Sequence, residues 1–564
     1  MSDSKANPFQ PSNEYWAETH VVENLPAPLE DYNLYGTDVA LRQSVAAAGG
    51  GWGDDTLNSF GQRCGSAEVM ELGFQANANK PELFTHDRYG KRVDEVKFHP
   101  AYHSLMQFAM EEEIHSSHWS APKPGAHVVR AAKSYMLSQI EAGHGCPITM
   151  TSAAIPTLKR QQSLFDEWAP KVMHPTYDPR NISHSLKESV TIGMAMTEKQ
   201  GGSDVRQNST RAYAVGTGGA GELYELVGHK YFVSAPMSDA FLVLAQTDHG
   251  VSCFLVPRWR PDGTKNPLQI QRLKNKMGNV SNASSETELR GALGWLVGEE
   301  GRGVSAILEM VAMTRFDCMI GSSAIMRQAV AQITHHCRYR SAFGRQLSKQ
   351  PLMQNVLADL IIESEAALAI TMRLAKALDS SEQNSAEKDL VRMGTAIGKY
   401  WICKRTPGHA YESMECIGGS GVMEDSIMPR LFRESPINTI WEGSGNVQCL
   451  DMLRAMRKNP RSLDAFMAEL HLSQGKHPQL DLALQDLLAE IGQTEDLEYR
   501  SRTVVGKMAL AMQGATLFQY GDEQVAAAFC ESRLGKNNTG WVYGTLPSSV
   551  DCESLITRAT PSGF

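Results

Sequence analysis

A single carboxylate on the lip of a glycine turn is the strongest chemical feature of the chain. Asn438-Thr439-Ile440-Trp441 leads through Glu442 into Gly443-Ser444-Gly445-Asn446, and glycines there let the backbone approach a ligand closely. The next residues read as a helix: Cys449, Leu450, Leu453 and Met456 share one face, Ser444 or Asn446 can cap the start, and Arg457 and Lys458 suit the C-terminal end. A carboxylate beside free helix N–H groups suits an acid/base residue next to an anionic or polar cofactor. Taken alone, a Glu ahead of a glycine-rich helix start is more often an ordinary turn. A second feature is Met194-Ala195-Met196-Thr197-Glu198-Lys199-Gln200-Gly201-Gly202-Ser203-Asp204, a strand-like run opening into a glycine-rich turn. Its hydroxyl and exposed N–H groups could bond the carbonyls of a flat heterocycle and a phosphate, or simply form a polar hairpin. It is neither a G-x-G-x-x-G nor a Walker loop, which argues against nicotinamide and nucleoside triphosphates. Third, Glu112-x-x-His115 and Glu141-x-x-His144 carry di-iron carboxylate spacing. Such a site needs two more carboxylates from other helices, and His144 sits in a glycine-flanked helix end. Glu112 and His115 therefore read as a buried hydrogen-bonded face, and no metal is expected.

The elements that must position these groups change period along the chain. Residues 1–60, punctuated by Pro8, Pro11, Pro26 and Pro28, read as an extended arm with a short helix near Asp38–Ala48. Residues 61–188 read as helical, with the clearest segments at Ser104–Trp119 and His127–Gly143. From 189 to 300 come six short strand-like runs separated by Gly, Asp and Pro, which predict an antiparallel barrel or sandwich. Val304–Tyr339, Leu352–Leu378, Ala386–Ile417 and Asn446–Lys458 are apolar-periodic, so 301–458 should form a helical bundle. Residues 459–564 read as a further helical domain with a loop-rich tail. The expected class is α+β multidomain.

Composition sets limits. The 564 residues exceed one core. A net charge of -9 argues against global attraction to nucleic acid or acidic membranes. Ten cysteines without a C-x-x-C pair fit reduced thiols in a cytoplasm rather than a disulfide framework. No apolar run of membrane-spanning length and no signal peptide are apparent, so a cytoplasmic protein is expected.

Several motifs together resemble the acyl-CoA dehydrogenase family. Thr197-Glu198 followed by Gly202-Ser203-Asp204 is similar to the family's flavin signature, and His229–Ser234 to its K-x-W-I-T strand. Arg340-Ser341-Ala342-Phe343-Gly344 resembles R-x-x-F-G, Cys416-Ile417-Gly418-Gly419-Ser420-Gly421 the glycine turn before the catalytic segment, and Trp441–Asn446 the segment bearing the base. The resemblance implies a helix–β–helix fold, FAD, and Glu442 as the α-proton base, with its backbone N–H helping to polarise a thioester carbonyl. It also implies flavin contacts at Met194, Met196, Thr197, Gly202, Ser203, Ser234, Phe343, Gly418, Gly419, Gly443, Ser444 and Asn446, with Arg340 reaching the FAD pyrophosphate of a neighbouring subunit. Departures occur at Phe232, at Ala235-Pro236, after Gly344, and at Ala312, where the family often has an acid near the acyl-CoA. Loss of that acid bears on acyl-CoA recognition more than on flavin binding.

The Met196–Arg206 and Lys276–Ser284 wording and the addition after Asn459 resemble the family's bacterial alkylation-response branch. That branch implies a homotetramer and a C-terminal domain associated with double-stranded DNA. Charge alone would not suggest DNA, since residues 456–564 hold 10 Lys and Arg against 13 Asp and Glu. The local candidates are Arg454, Arg457, Lys458 and Arg461, with Arg500, Arg502 and Lys507 a second set; clusters of this size are commonly solvated surface. Two functions follow: a flavoprotein that binds DNA and protects it against alkylation with slow or vestigial dehydrogenation, or a working short- or branched-chain acyl-CoA dehydrogenase.

Overall fold

The computed structural model describes residues 19–535 and 542–562, and the first part of the expected arm, with Pro8 and Pro11, lies outside them. From Leu29 the chain is already in the core, where Tyr32, Leu34 and Tyr35 are buried with α1 (Val39–Ala47), which Asp38 caps through Leu41 N at 3.0 Å. Helices α2 (Asp54–Cys64) and α3 (Ala67–Ala78) follow. A hairpin that the sequence did not announce, β1 (Glu82–His86) and β2 (Arg92–Lys97), then leads to α4 (Pro100–Glu111). The single helix expected over Ser104–Trp119 is broken. Glu113 turns left-handed at φ +52, and one short turn, α5 (Ser117–Ser120), resumes after it. The break lets Lys133 donate to both the Glu112 carbonyl (3.0 Å) and its carboxylate (2.9 Å). Lys133 sits on α6 (Ala126–Ile140), which is followed by α7 (Gly145–Leu158) and α8 (Gln162–Val172).

The β domain contains β3 (Ile192–Ala195), β4 (Arg211–Ala214), β5 (Leu223–Ser234), β6 (Ala240–Thr247), β7 (Gly250–Pro257), β8 (Leu268–Leu273) and β9 (Ser284–Leu296). Pairing runs β6-β4-β5-β9-β7 and returns from β7 to β6, which closes a barrel, with β3 on β6 and β8 on β9. It is antiparallel except where β6 receives β3 and β4. Strand β6 shows why the fold takes this shape. Phe241, Val243 and Ala245 fill the barrel while Ala240, Leu242 and Leu244 meet α7 and α8, so a strand covered on both faces reads as one apolar run. The two runs read at Leu223–Val227 and Tyr231–Ser234 are one strand that continues through Gly228, where a Cβ would come within 2.4 Å of Thr210 Oγ1, and its register with β9 shifts between Leu226 and Val227 and between Lys230 and Val233. Strand β9 escaped the sequence reading because buried Ser285, Glu286 and Thr287 interrupt its apolar pattern.

The bundle is built from α9 (Gly303–Tyr339), α10 (Pro351–Ser380) and α11 (Ser385–Ile417), with a tiny hairpin, β10 (Ser341–Ala342) and β11 (Arg345–Gln346), between the first two. Short α12 (Met428–Glu434) and α13 (Ile437–Ile440) lead into α14 (Gly445–Lys458). The residues just before the glycine turn, Ile437–Ile440, thus form one helical turn. Helices α15 (Arg461–His471), α16 (Pro478–Gly492), α17 (Ser501–Tyr520) and α18 (Glu523–Phe529) share a continuous apolar core with α9–α11, and α19 (Cys552–Ala559) closes onto it through Leu555. All ten cysteines are free thiols. Among the described residues no helix is long and apolar enough to cross a membrane.

One buried ion pair ties the glycine turn to the barrel. Lys230 Nζ lies 2.7 Å from Glu198 Oε1 with both side chains fully buried, and it also donates to Leu244 O at 2.7 Å. Burial opposes charge on Glu198, but Lys230, Thr210 and the Ser209 N–H outweigh it and hold the carboxyl down to about 2. Lys230→Met leaves that carboxylate buried and unpaired, so the substitution should cost about 3–5 kcal/mol, read as a lower thermal unfolding midpoint.

Candidate active-site cleft

A cleft of about 700 Å³ opens between the barrel, the α6–α7 turn and the bundle, within the range of ligand pockets. On the barrel wall stand Met194, Met196, Thr197, Gly202, Ser203, Phe232 and Ser234. The turn is compact: a Cβ on Gly202 would lie 3.0 Å from Thr197 Cγ2. The facing wall carries Thr314, Arg315, Glu442, Gly443 and Ser444. Ser444 precedes α14 without a side-chain cap, so the first N–H groups of that 14-residue helix are open to a polar or anionic ligand.

Glu442 is a non-glycine residue at φ +58, and the neighbouring carbonyls explain how it is kept there. Buried Lys399 of α11 donates to Trp441 O (2.8 Å) and Gly443 O (2.6 Å). Arg315 Nε of α9 reaches Glu442 O at 2.8 Å, and Gln448 Nε2 of α14 reaches Glu442 O at 3.1 Å and Gly443 O at 2.9 Å. Arg315 is aligned in turn by Asp451 at 2.9 Å, which also holds Arg392 at 2.8 Å. Next to Arg315 on the same helix turn, Thr314 Oγ1 donates to Glu442 Oε2 at 2.8 Å. Burial raises the Glu442 pKa above the ordinary carboxylate value, against the lowering effects of the Thr314 bond and the Arg315 and Lys399 charges. A carboxylate aimed into a cleft, oriented by a hydroxyl and made more basic by desolvation is equipped to take a proton.

A second polar group lines the same cleft. In the α6–α7 turn Glu141 Oε2 accepts from His144 Nδ1 at 2.9 Å, and Glu141 Oε1 accepts from Ser281 Oγ at 2.8 Å. Burial works against charge on Glu141, yet the His144 ring and backbone N–H bonds hold it down to about 2. Lys276 Nζ donates to Asn282 O (2.7 Å) and Ser284 Oγ (2.8 Å), and Ser284 Oγ lies 3.1 Å from Ser234 Oγ. Burial brings Lys276 down to about 8. Burial and the Glu141 charge push Glu434 up to about 7, while the Asn279 N–H, at 2.7 Å, favours its ionised form. The two E-x-x-H motifs thus serve different ends: Glu112 pairs with Lys133 and Arg63, and His115 Nε2 contacts His174 O at 3.1 Å rather than Glu112.

The structure gathers Met194, Met196, Thr197, Gly202, Ser203, Ser234, Glu442, Gly443 and Ser444 around one space and leaves others outside. Asn446 is exposed, and its Oδ1 accepts from Arg502 at 2.8 Å, joining a residue expected at flavin to one expected at DNA. Gly418 and Gly419 are exposed in a turn after α11. Arg340 donates to Asn24 O at 2.6 Å, and Phe343 is fully exposed at φ +53 on the β10–β11 hairpin. Arg454 stands at the cleft edge 3.5 Å from Asp451. Arg500 and Lys507 both pair with Glu490, while Arg457, Lys458 and Arg461 are exposed. Sequence reasoning missed Thr314, Lys399 and Gln448 as supports of Glu442. A lysine inside the apolar face of α11 was the available signal for Lys399.

Lys399→Met removes a charged donor from two carbonyls at once. It should destabilise the protein by about 2–4 kcal/mol, seen in thermal unfolding, and release the Glu442 turn, seen as faster hydrogen exchange in residues 441–448.

Comparisons with known proteins agree with this layout. Residues 24–179 match the adaptive response protein AidB N-terminal domain, 193–292 the acyl-CoA dehydrogenase middle domain, and 301–457 the acyl-CoA dehydrogenase C-terminal domain. AidB of Escherichia coli (strain K12) is 43% identical over 97% of this chain and 99% of its own. The solved structure of Caenorhabditis elegans ACDH-11 in complex with C11-CoA superposes with a TM-score of 0.85 at 26% identity, covering 94% of this chain and 96% of that one. An acyl-CoA dehydrogenase of Bacillus anthracis solved with FAD has a TM-score of 0.60 at 17% identity, covering 82% of each chain. With Glu442 held on the cleft wall and matches along nearly its whole length, the chain belongs to the acyl-CoA dehydrogenase family and to its AidB-like group.

Proposed function

We propose that the cleft binds FAD together with an acyl-CoA thioester and that Glu442 removes the α-proton of the acyl group. The observation that carries this reading is the Glu442 turn, which points a desolvated, hydroxyl-oriented carboxylate across the cleft from the barrel wall. The residues present suit a flavin: Met194, Met196 and Phe232 offer apolar surface to a flat ring, Thr197, Ser203 and Ser234 offer hydrogen bonds, and the open N-terminus of α14 favours a phosphate. When bound, FAD supplies an acceptor for the hydride that leaves the β-carbon. The chain's own contribution is proton removal and orientation. Glu442 must be ionised to act, the Thr314 hydroxyl fixes its rotamer, and the Lys399, Arg315 and Gln448 bonds keep its backbone from relaxing out of the left-handed region.

This reading treats dehydrogenation as a working activity. It is tested with flavin-loaded protein and a panel of acyl-CoA thioesters. Glu442→Gln should slow flavin bleaching by about 10²–10⁴-fold, and equal bleaching in both proteins would remove Glu442 from the mechanism. The wild-type rate should rise with pH through a pKa above the usual carboxylate range, because the ionised form is the active one. Thr314→Val removes a bond that lowers that pKa, so its rising limb should move to higher pH.

A second reading keeps the DNA role implied by the alkylation-response resemblance, and one observation favours it: Arg457, Lys458 and Arg461 are exposed together where α14 ends and α15 begins. Four copies of such a patch on a homotetramer would add their phosphate contacts, and the exposed Phe343 and Arg340 hairpin is the surface through which a neighbouring subunit would complete a flavin site. Replacing these three cations by alanine should weaken duplex binding and flatten its salt dependence; an unchanged titration would reject the patch.

A further inference from the structure

The cleft has a polar end that proton removal by Glu442 does not use. Three segments meet there: the α6–α7 turn with Glu141 and His144, the loop from Lys276 to Ser284, and the end of α12 with Glu434. Their fit is close. A Cβ on Gly143 would fall 1.8 Å from Ser281 Oγ, and one on Gly278 would fall 2.3 Å from Arg433 O. Within this frame Asn279 is 1% exposed and lines the cleft, and its amide has no nitrogen or oxygen partner, its one polar neighbour being the weakly bonding Cys146 thiol. His144 is fully buried and also lines the cleft. Its Nδ1 is engaged by Glu141, while its Nε2 has no partner. Lys276 uses Nζ on Asn282 O and Ser284 Oγ, and an ammonium carries three donors. Buried polar atoms left unpaired are costly, about 1–3 kcal/mol each; Asn279 and His144 carry such atoms, and with the Lys276 ammonium on the same cleft they form a built recognition surface.

We propose that this end binds an uncharged oxygen function, a hydroxyl or a carbonyl, carried on the acyl chain of the substrate, so that the cleft selects oxygenated acyl thioesters over plain aliphatic ones. The assignment rests on the thioester reading above and specifies its substrate class. The Asn279 amide both donates and accepts, which matches a hydroxyl, and Lys276 adds a donor to the same oxygen. A carboxylate suits the site less well because the ionised Glu141 already places negative charge there, the same charge that, with burial, pushes the neighbouring Glu434 up to about 7. An aliphatic chain would leave the Asn279 and His144 atoms desolvated and unpaired, the situation in which a site built for hydrogen bonds discriminates most strongly.

The test uses full-length, flavin-loaded protein and calorimetric dissociation constants for three matched series: butyryl- to hexanoyl-CoA, their terminally hydroxylated counterparts, and the corresponding terminal carboxylates. Wild type should bind the hydroxylated member at least about 10-fold tighter than its aliphatic match at one chain length, equivalent to about 1.4 kcal/mol, and should bind the carboxylate no tighter than the aliphatic one. Asn279→Gly keeps the φ of +53 accessible and should bring the hydroxyl-to-aliphatic ratio below about 3-fold; Lys276→Met provides an independent reduction of the same ratio. Equal binding of the aliphatic and hydroxylated series, a preference for the carboxylate, or a ratio unchanged in both variants would overturn the assignment. If aliphatic thioesters bind and bleach the flavin without any such preference, only the polar-end assignment falls. If no thioester binds, the thioester reading falls with it.

Discussion

Three successive carbonyls, those of Trp441, Glu442 and Gly443, receive five hydrogen bonds from side chains on three different helices. A left-handed conformation costs a non-glycine residue about 1–2 kcal/mol, whereas each bond returns roughly 1 kcal/mol or more when the donor is charged. The bonds win, and Glu442 stays on the cleft wall. The arrangement also couples the site to the bundle core, because Lys399, Arg315 and Gln448 reach the turn only if α9, α11 and α14 pack in register. Asp451 extends the coupling outward by holding both Arg315 and Arg392.

The opposite wall is rigid for a different reason. Strand β6 is buried on both faces, inward against the barrel and outward against α7 and α8, so the glycine turn that follows its neighbour β3 rests on a fixed support. Glu198 and Lys230 lock that turn by a pair that is stable only while both partners remain in place. The cleft is therefore bounded by two separately braced surfaces. Its α6–α7 edge is set by close backbone approach at Gly143, where no side chain would fit.

Much of this was legible beforehand because helix periodicity and strand composition are local properties. The long bundle helices lie within a few residues of the expected spans, and most barrel strands were visible as apolar runs between glycines and prolines. Where local pattern and tertiary demand parted, the sequence reading faltered. The Ser104–Trp119 segment has helical spacing throughout, yet Glu113 turns left-handed and breaks it, which leaves the Glu112 carbonyl and carboxylate to Lys133 of another helix. Strand β9 carries polar residues that are buried by neighbouring strands, so its period was masked. Asn446 sits one residue beyond the start of α14, a position that could face either way, and the C-terminal unit turned it toward Arg502.

The amino-acid sequence by itself determined the order of helices, β domain and bundle, the family, and the presence of one carboxylate, Glu442, at a glycine turn, since these depend on residue type, spacing and short motifs. Only the tertiary structure decided what makes that carboxylate usable and what else shares its cleft. Thr314, Lys399 and Gln448 are separated from Glu442 by different distances along the chain, and no local pattern links them. The pairing of Glu141 with His144 and Ser281, and the buried Asn279 amide on the same cleft as Lys276, arise where three segments from three parts of the sequence meet. Orientation, desolvation and hydrogen-bond satisfaction are properties of packed neighbours, and those neighbours exist only once the chain has folded.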